Sequence, residues 1–210
     1  MKTAAVIPVK TFSNAKTRLQ LPVEKIEELC KIMLEEILQV LSISPKIEKI
    51  IIVTKEKKAI EIAKKFNAVV IIDEKEEGVN QAVSLAEKYL LENNFVASMV
   101  FPQDIPGIKT QDIDFMLNYK TYPNFAIIVP SRKFDGTNAL VRMPVNLMET
   151  HYDNDSYRNH MSTAKEHTRN VAMVFVKRIM LDIDDKEDLE LFLKQNEKPD
   201  LVEKIRKILN

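Results

Sequence analysis

The chain contains little glycine, one cysteine and no tryptophan, and it carries no excess charge of either sign. With a single cysteine, Cys30, no internal disulfide bond can form. Lysine plus arginine number 31, and aspartate plus glutamate also number 31. Because general nucleic-acid and membrane-surface binders need a net basic field, we expect this balanced chain to bind neither.

Long apolar runs are missing as well. No uninterrupted apolar stretch approaches the ~20 residues that span a bilayer, and the apolar run in the opening MKTAAVIPVK is too short for a signal peptide. We therefore expect a cytoplasmic protein. Apolar residues still make up 45% of the 210 positions, which is enough for a sizeable core. This length suits one α/β domain.

Apolar runs of strand length alternate with helical patterns along the chain. The predicted strands are 4–9, 49–54, 68–72, 96–101, 125–131, 138–143 and 171–183. The predicted helices are 22–42, with Cys30 on its apolar face, 56–66, 79–94, 112–120, 156–168, 185–196 and 199–209. This alternation predicts an α/β fold with a mostly parallel sheet flanked by helices. Ligands of such sheets bind at the carboxyl ends of the strands.

Cations and carboxylates both follow the predicted strands. The cations after the first strand are Lys10, Lys16 and Arg18. The carboxylates at the later strand ends are Asp104, Asp182 and Asp184. Carboxylates that face an anion repel it unless a divalent metal lies between them, and carboxylate and phosphate oxygens are the ligands that Mg²⁺ prefers. The pattern therefore indicates metal-dependent phosphoryl or nucleotidyl transfer, with lysine and arginine neutralising the phosphates.

Neither common glycine-rich phosphate-binding motif is present. The sequence has no GxxxxGK[ST], and no GxGxxG follows its first strand, which argues against a P-loop NTPase and a dinucleotide-binding oxidoreductase. The phosphates must then be held by another loop, and PVKTFSNAKTRL at 8–19 is the one available. The three glycines, Gly78, Gly107 and Gly136, all fall in candidate loops, as turn residues or to admit a ligand.

Six short blocks occur in order: IPVKTFSNAKTRL, GVNQAVSLA, QDIPGI, DGTNAL, SYRNHMSTA and LDIDDKEDL. The first is similar to a signature of P-x-K, a spacer and A-K-x-R-L, and the fourth to G-T-N-A-L. Together they resemble the CofC/FbiD family, the 2-phospho-L-lactate guanylyltransferases of coenzyme F420 biosynthesis. The resemblance spans nearly the whole chain. It implies a single nucleotidyltransferase domain, residues 1–210, with the Rossmann-like fold of nucleotide-diphospho-sugar transferases.

The resemblance also implies a reaction and a role for each matching residue. GTP and a small phosphorylated carboxylic acid, 2-phospholactate, would condense with release of pyrophosphate, Mg²⁺ would be the cofactor, and the protein would be a homodimer. The nucleotide would be bound by Pro8, Lys10, Lys16, Arg18, Gly78 and Asn80. The acceptor would be bound by Thr137, Asn138, Asp153 and Ser156. Catalysis would depend on Lys16, Arg18 and Asp104, and Mg²⁺ binding on Asp104 with Asp182 or Asp184.

Several alternatives stay open from the sequence. Asp182 and Asp184 share a face of the predicted strand, and we favour Asp182 as the metal ligand because Asp184 can instead cap the next helix. Ser156 can also be a plain cap, and His160 is expected to support the acceptor loop. Asp153 stands where relatives usually carry glycine, so phosphoenolpyruvate and 3-phosphoglycerate are alternative acceptors.

Two other functions compete with this one. A nucleotidyltransferase of the same fold can use a sugar phosphate or molybdopterin as acceptor, but such enzymes open on a glycine-rich loop that is missing here. A nucleotide-binding regulator without catalysis is the second alternative. Retention of Asp104 together with Asp182 and Asp184 argues against it.

Overall fold

The computed structural model describes residues 2–118, 123–153 and 155–209, and its strands form one sheet. The strands are β1 (Thr3–Pro8), β2 (Lys49–Val53), β3 (Val69–Ile71), β4 (Ala97–Val100), β5 (Phe125–Pro130), β6 (Thr137–Met143) and β7 (Val171–Met173). Their order is β3-β2-β1-β4-β6-β5-β7. Only the pairings of β6, with β4 and β5, are antiparallel. The predicted mostly parallel α/β fold is confirmed.

Helices cover both faces of this sheet. They are α1 (Val23–Ser42), α2 (Lys57–Lys65), α3 (Val79–Glu92), α4 (Thr110–Asn118), α5 (Ser156–His167), α6 (Lys177–Met180), α7 (Lys186–Gln195) and α8 (Pro199–Leu209). Helix α4 begins two residues before the predicted start at 112. Its predicted continuation to 119–120 lies outside the described residues. None of the described helices is long and apolar enough to cross a membrane.

The two faces of each central strand are buried in different apolar clusters. Ala5 and Ile7 of β1 pack with α1, α2, α4 and α6–α8, whereas Ala4 and Val6 pack with α3 and α5. Burial on both faces explains why the early strands β1 and β2 are apolar after their first residues rather than alternating. Cys30 is fully buried in the first cluster, as predicted, and burial raises the pKa of its thiol to about 12.

The predicted strand at 171–183 is wrong beyond its first three residues. After β7 the chain forms the short helix α6 and then runs irregularly through Asp182 and Asp184. The amide of Asn138 donates to the carbonyls of Ile179 (2.9 Å) and Met180 (3.1 Å). Because a buried side chain satisfies these carbonyls, this segment needs no sheet partner.

The antiparallel direction of β6 determines which of its residues lies at the edge of the sheet where the parallel strands end and where a ligand is expected to bind. The parallel strands β1, β2 and β4 end at this edge, and β6 begins there with Thr137. Thr137 therefore lies beside residues that follow the first four strands.

Candidate active site

A cavity of about 290 Å³ opens at the edge of the sheet where β1–β4 end. Five predicted ligand-binding residues line it: Pro8, Lys10, Lys16, Gly78 and Thr137. Asp104 and Asp184 line it as well. The other predicted site residues lie outside the lining: Arg18, Asn80, Asn138, Asp153, Ser156 and Asp182. Among the described elements, the ends of four strands and the start of β6 thus converge on one concave site, as expected for this architecture.

Lys16 joins the two carboxylates that face the cavity. Its ammonium donates to Asp104 and, over 2.5 Å, to Oδ1 of Asp184. Its side chain is only 6% exposed. Burial alone would lower the pKa of Lys16, but the charges of Asp104 and Asp184 outweigh it and raise that pKa. The ammonium therefore stays protonated. Lys16 has no acidic neighbour in sequence, and its partners come instead from two distant segments of the chain.

The backbone at Lys16 is held in a left-handed conformation, with φ of 54°. This conformation costs a non-glycine residue roughly 1–2 kcal/mol. The ammonium of this strained residue is the one paired with Asp104 and Asp184. Local strain at a ligand-facing residue is common at functional sites.

Backbone contacts bring Asp104 and the segment 182–184 side by side. The amide of Ile183 donates to the carbonyl of Asp104 over 2.9 Å. Gly107 then lets the loop after β4 lie against α6, since a Cβ there would stand 3.3 Å from the carbonyl oxygen of Arg178. The carboxylates of Asp104 and Asp184 are thereby held at one end of the cavity.

Asp182 and Asp184 lie in different surroundings. Oδ1 of Asp182 accepts from the amide of Asn138 at 3.0 Å, so Asn138 supports Asp182 instead of lining the cavity. Burial and then the charge of Asp104 raise the pKa of Asp182 to about 7. Burial would also raise the pKa of Asp184, but the charge of Lys16 lowers it. Asp184 is thus the better paired and more accessible of the two.

The cap of α7 is Asp185, whose side chain accepts from the amide of Asp188 at 3.0 Å. The alternative role of Asp184 as a helix cap is therefore excluded. Lys133 pairs with Asp185 and Asp188 at 2.7 Å and 2.9 Å, which ties the loop before β6 to α7.

The two aspartates should respond oppositely to neutralisation in metal-free protein. Between pH 3.8 and about 7 folded Asp182 keeps a proton that the unfolded chain has lost, so its contribution to stability falls as pH rises. D182N should therefore raise the free energy of unfolding at pH 8 by on the order of 2 kcal/mol and by little at pH 4. D184N should lower the free energy of unfolding at pH 8, since this substitution leaves Lys16 with one acidic partner. Urea unfolding with EDTA measures both; a less stable D182N at pH 8 would contradict this account.

Two glutamates that sequence reasoning missed hold the opening loop. Glu76 accepts from both the amide and the hydroxyl of Thr11 at 2.8 Å, and Glu56 accepts from the amide of Phe12 at 3.0 Å. The available signal was an acidic residue after each of β2 and β3, because β2 lies beside β1 and β3 lies beside β2. The loop is thus fixed through its backbone, and the side chains of Lys10 and Arg18 are exposed.

The segment after β6 is attached to the first turn of α3 by Asn80. Its side chain accepts from the amide of Tyr152 at 2.8 Å and donates to Oδ2 of Asp153 at 3.3 Å. Asp153 is exposed, and Asp155 pairs with Arg158 at 2.7 Å. Neither acid lines the cavity, so an aspartate at the family glycine position is compatible with an anionic ligand there.

Thr137 is connected to α5 behind the cavity wall. Its hydroxyl accepts from Ser156 at 3.0 Å and contacts Nδ1 of His160 at 2.9 Å. Nε2 of His160 accepts from the amide of His151 at 2.8 Å. Ser156 is the first residue of α5, preceded by Asp155 as cap, and is 2% exposed. Ser156 is therefore neither a plain cap nor a cavity residue, and His160 supports this segment as predicted.

The donor set at the cavity fits Mg²⁺ bound together with a nucleotide. Among the described residues no group of three histidine, cysteine or acidic side chains is arranged to hold a metal alone. Oδ1 of Asp104 is buried with no hydrogen-bond partner in the same residues. Mg²⁺ usually takes one or two carboxylates and completes its shell with phosphates and water. Asp104 and Asp184 supply two such carboxylates.

Solved structures of nucleotidyltransferases share this fold. A protein from Desulfovibrio desulfuricans G20 assigned as a nucleotide-diphospho-sugar transferase has a TM-score of 0.75 at 15% identity, over 99% of this chain and 95% of that one. A 4-diphosphocytidyl-2C-methyl-D-erythritol synthase has a TM-score of 0.61 at 12% identity, over 91% of this chain and 97% of that one. At these identities the likeness shows the fold, which is the predicted type.

Curated relatives at higher identity are guanylyltransferases. Phosphoenolpyruvate guanylyltransferase of Conexibacter woesei is 28% identical over 90% of this chain and 86% of its own length. 2-Phospho-L-lactate guanylyltransferase of Methanocaldococcus jannaschii is 29% identical over 94% and 85%. 3-Phospho-D-glycerate guanylyltransferase of Colwellia psychrerythraea is 31% identical over 91% of both.

All three relatives are named for the transfer of a guanylyl group, and their names differ in the acceptor. The model of the family described as guanylyl transferase, CofC-like, matches residues 3–208, which includes all residues of the cavity described above. The predicted resemblance is thus confirmed over nearly the whole chain, and this protein belongs to the CofC-like guanylyl transferase family.

Proposed function

We propose that this protein transfers the guanylyl group of GTP to the phosphate of 2-phospho-L-lactate, releasing pyrophosphate, in coenzyme F420 biosynthesis. The observation that carries the proposal is the juxtaposition of Lys16, Asp104 and Asp184 with Thr137 around one cavity. Two anionic substrates need cations and a metal at one place, and this cavity is lined by two lysines and by two carboxylates that would hold the metal. Relatives with phospholactate in their names support this acceptor. Relatives named for phosphoenolpyruvate and 3-phosphoglycerate support these two acids as alternative acceptors.

The chemistry requires the approach of two negatively charged groups. An oxygen of the acceptor phosphate attacks the α-phosphorus of GTP, a new P–O bond forms, and the bond from that phosphorus to the oxygen bridging the α- and β-phosphates breaks. Pyrophosphate leaves with the electron pair. Two unit charges of like sign at ~4 Å repel by roughly 4 kcal/mol at an effective dielectric near 20. The attacking oxygen is already anionic, so no general base is needed.

Several side chains near the cavity would together counter the repulsion between the two phosphate groups. Lys10 lies at the mouth of the cavity, and Lys16 lies deeper, so that together they would neutralise the triphosphate and the departing pyrophosphate. Arg18 is exposed and adds positive potential near Asp184. Gly78 lines the cavity with φ of 108°, and its lack of a side chain leaves room for the nucleotide.

Asp104 and Asp184 would hold Mg²⁺, with Asp182 behind them on Asn138. When bound, the ion supplies positive charge that stabilises the developing negative charge on the transferred phosphoryl group. Lys16, which is paired with both carboxylates here, must then turn its ammonium toward the phosphates.

The reaction is tested by pyrophosphate release from each nucleoside triphosphate with Mg²⁺ and each of the three acids. We expect release with GTP and phospholactate, with product mass equal to the acid plus a guanylyl group. Faster release with another acid would transfer the assignment to that acceptor. Release with only a sugar phosphate would contradict the proposal, as would GTP binding without release for any acid.

A further inference from the structure

Four polar groups behind the cavity wall form a hydrogen-bonded chain that ends at the hydroxyl of Thr137. The chain runs from the amide of His151 to His160 and then to Thr137, where Ser156 joins it. His160 is fully buried, and Ser156 and Thr137 are 2% and 6% exposed. Groups this buried are costly to leave unpaired, so the direction of each hydrogen bond can be worked out.

The ring of His160 has a defined tautomer. The backbone amide of His151 can only donate, so Nε2 of His160 carries no proton. Burial, with the charges of His151 and Arg142, lowers the pKa of His160 to about 3, and the ring is neutral near pH 7. A neutral ring without a proton on Nε2 has its proton on Nδ1. Nδ1 therefore donates to the hydroxyl oxygen of Thr137.

The hydroxyl of Ser156 donates to the same oxygen over 3.0 Å. In the opposite arrangement Thr137 would donate to Ser156, and the buried hydroxyl hydrogen of Ser156 would have no acceptor among the described residues. A buried hydroxyl hydrogen without an acceptor is destabilising. Since Thr137 and not Ser156 lines the cavity, the leftover hydrogen is better placed on Thr137.

We propose that His160 and Ser156 are positioning residues that fill both lone pairs of the Thr137 hydroxyl, so that Thr137 can only donate its hydrogen, into the cavity, to an unprotonated phosphate oxygen of the acceptor. The inference rests on the proposed function and adds the polarity of the acceptor subsite. A fixed donor favours an anionic oxygen over a neutral one and rejects a group that can only donate, such as N–H. The hydroxyl of Ser156 orients Thr137 and does not contact the acceptor.

The tautomer is read directly from ¹⁵N spectra of histidine-labelled protein without ligand, with H160N used to assign the signals. We expect a protonated Nδ1 and an unprotonated Nε2 for His160, with no change between pH 5 and 8. A proton on Nε2, or titration within this range, would overturn the inference even if the enzyme releases pyrophosphate.

Matched variants test the consequence for anion binding, with inorganic phosphate as the probe and the amides of Gly136 and Ser156 as reporters. T137V should weaken phosphate binding about 10- to 100-fold, as loss of a hydrogen bond to a charged group does, and T137S should recover most of it. His160→Gln keeps an acceptor near the Nε2 position and loses the Nδ1 donor, whereas His160→Asn keeps a donor at Nδ1. H160Q should therefore weaken binding severalfold and H160N should recover most of that loss.

Steady-state kinetics separate positioning from a general effect on folding. In T137V and H160Q the KM for the acid should rise by the same factors, with the KM for GTP within about twofold of the unmutated protein. Equal loss for H160N and H160Q, or unchanged acid KM and phosphate affinity in T137V, would overturn the inference. If the tautomer and phosphate binding are as expected but no acid is turned over, the proposed function fails and the polarity of the anion site stands.

Discussion

Lys16→Met is expected to lower kcat for pyrophosphate release by about 100- to 1000-fold, the usual effect of removing one group that stabilises transition-state charge. Methionine keeps the length of the side chain and removes its ammonium. Asp104 and Asp184 then face each other and the incoming phosphates with no protein cation between them. Steady-state kinetics with saturating Mg²⁺ measure the effect. A kcat within tenfold of the unmutated protein would show that Lys16 does not act on the reacting phosphates.

A second readout separates lost catalysis from lost folding. Without metal, K16M should be less stable by on the order of 2 kcal/mol, because it leaves the largely buried Asp104 and the partly exposed Asp184 without their shared cation. Added Mg²⁺ should then raise its melting temperature more than that of the unmutated protein, since the carboxylates are no longer occupied by Lys16. Lys57→Met is the matched control, because Lys57 is exposed on α2 and lies outside the cavity lining. K57M should keep both the kcat and the melting temperature.

Asp104→Asn should lower kcat by about 1000-fold and weaken Mn²⁺ binding in the presence of GTP. The change keeps the shape of the side chain and removes the charge that Lys16 and the metal both use. It should leave the fold intact, because Lys16 retains Asp184 and the backbone bond from Ile183 to residue 104 does not involve the side chain. Kinetics and the relaxation of water protons by Mn²⁺ measure the two effects.

The control for Asp104 is Asp200→Asn, an identical chemical change at an exposed position in the first turn of α8. D200N should have the kcat and the Mn²⁺ affinity of the unmutated protein. If D104N bound Mn²⁺ with GTP as tightly as D200N does, Asp104 would not be a metal ligand and the proposed mechanism would lose its metal site.

The fold could be predicted because burial on both faces leaves a strong signal in the strands. β1 and β2 are apolar after their first residues, Thr3 and Lys49, and helical periodicity fills the interval between them. The run at 171–183 carries the same apolar signal for a different reason. Val176 and Ile179 are buried by a short helix whose carbonyls are satisfied by Asn138, more than forty positions away in sequence. Apolar spacing alone does not distinguish these cases.

The site could be predicted in its location and only partly in its contacts. Rules for strand ends brought Lys16, Asp104 and Asp184 to one edge, and the structure joins them although Lys16 and Asp184 lie 168 positions apart. The directions of side chains in loops are not encoded in spacing. Asn80 and Ser156 match family blocks, yet both turn toward neighbouring segments of this chain and hold the wall of the cavity.

In the proposed mechanism, a divalent ion at Asp104 and the neighbouring aspartates joins the nucleotide's phosphates above Lys16. Anomalous diffraction from crystals grown with Mn²⁺ and a non-hydrolysable GTP analogue would locate both the ion and the phosphates. We expect one manganese peak within coordination distance of Asp104, of Asp184 or Asp182, and of an α-phosphate oxygen, with the ammonium of Lys16 on the triphosphate. Manganese bound away from Asp104, or phosphates bound away from Lys16, would contradict it.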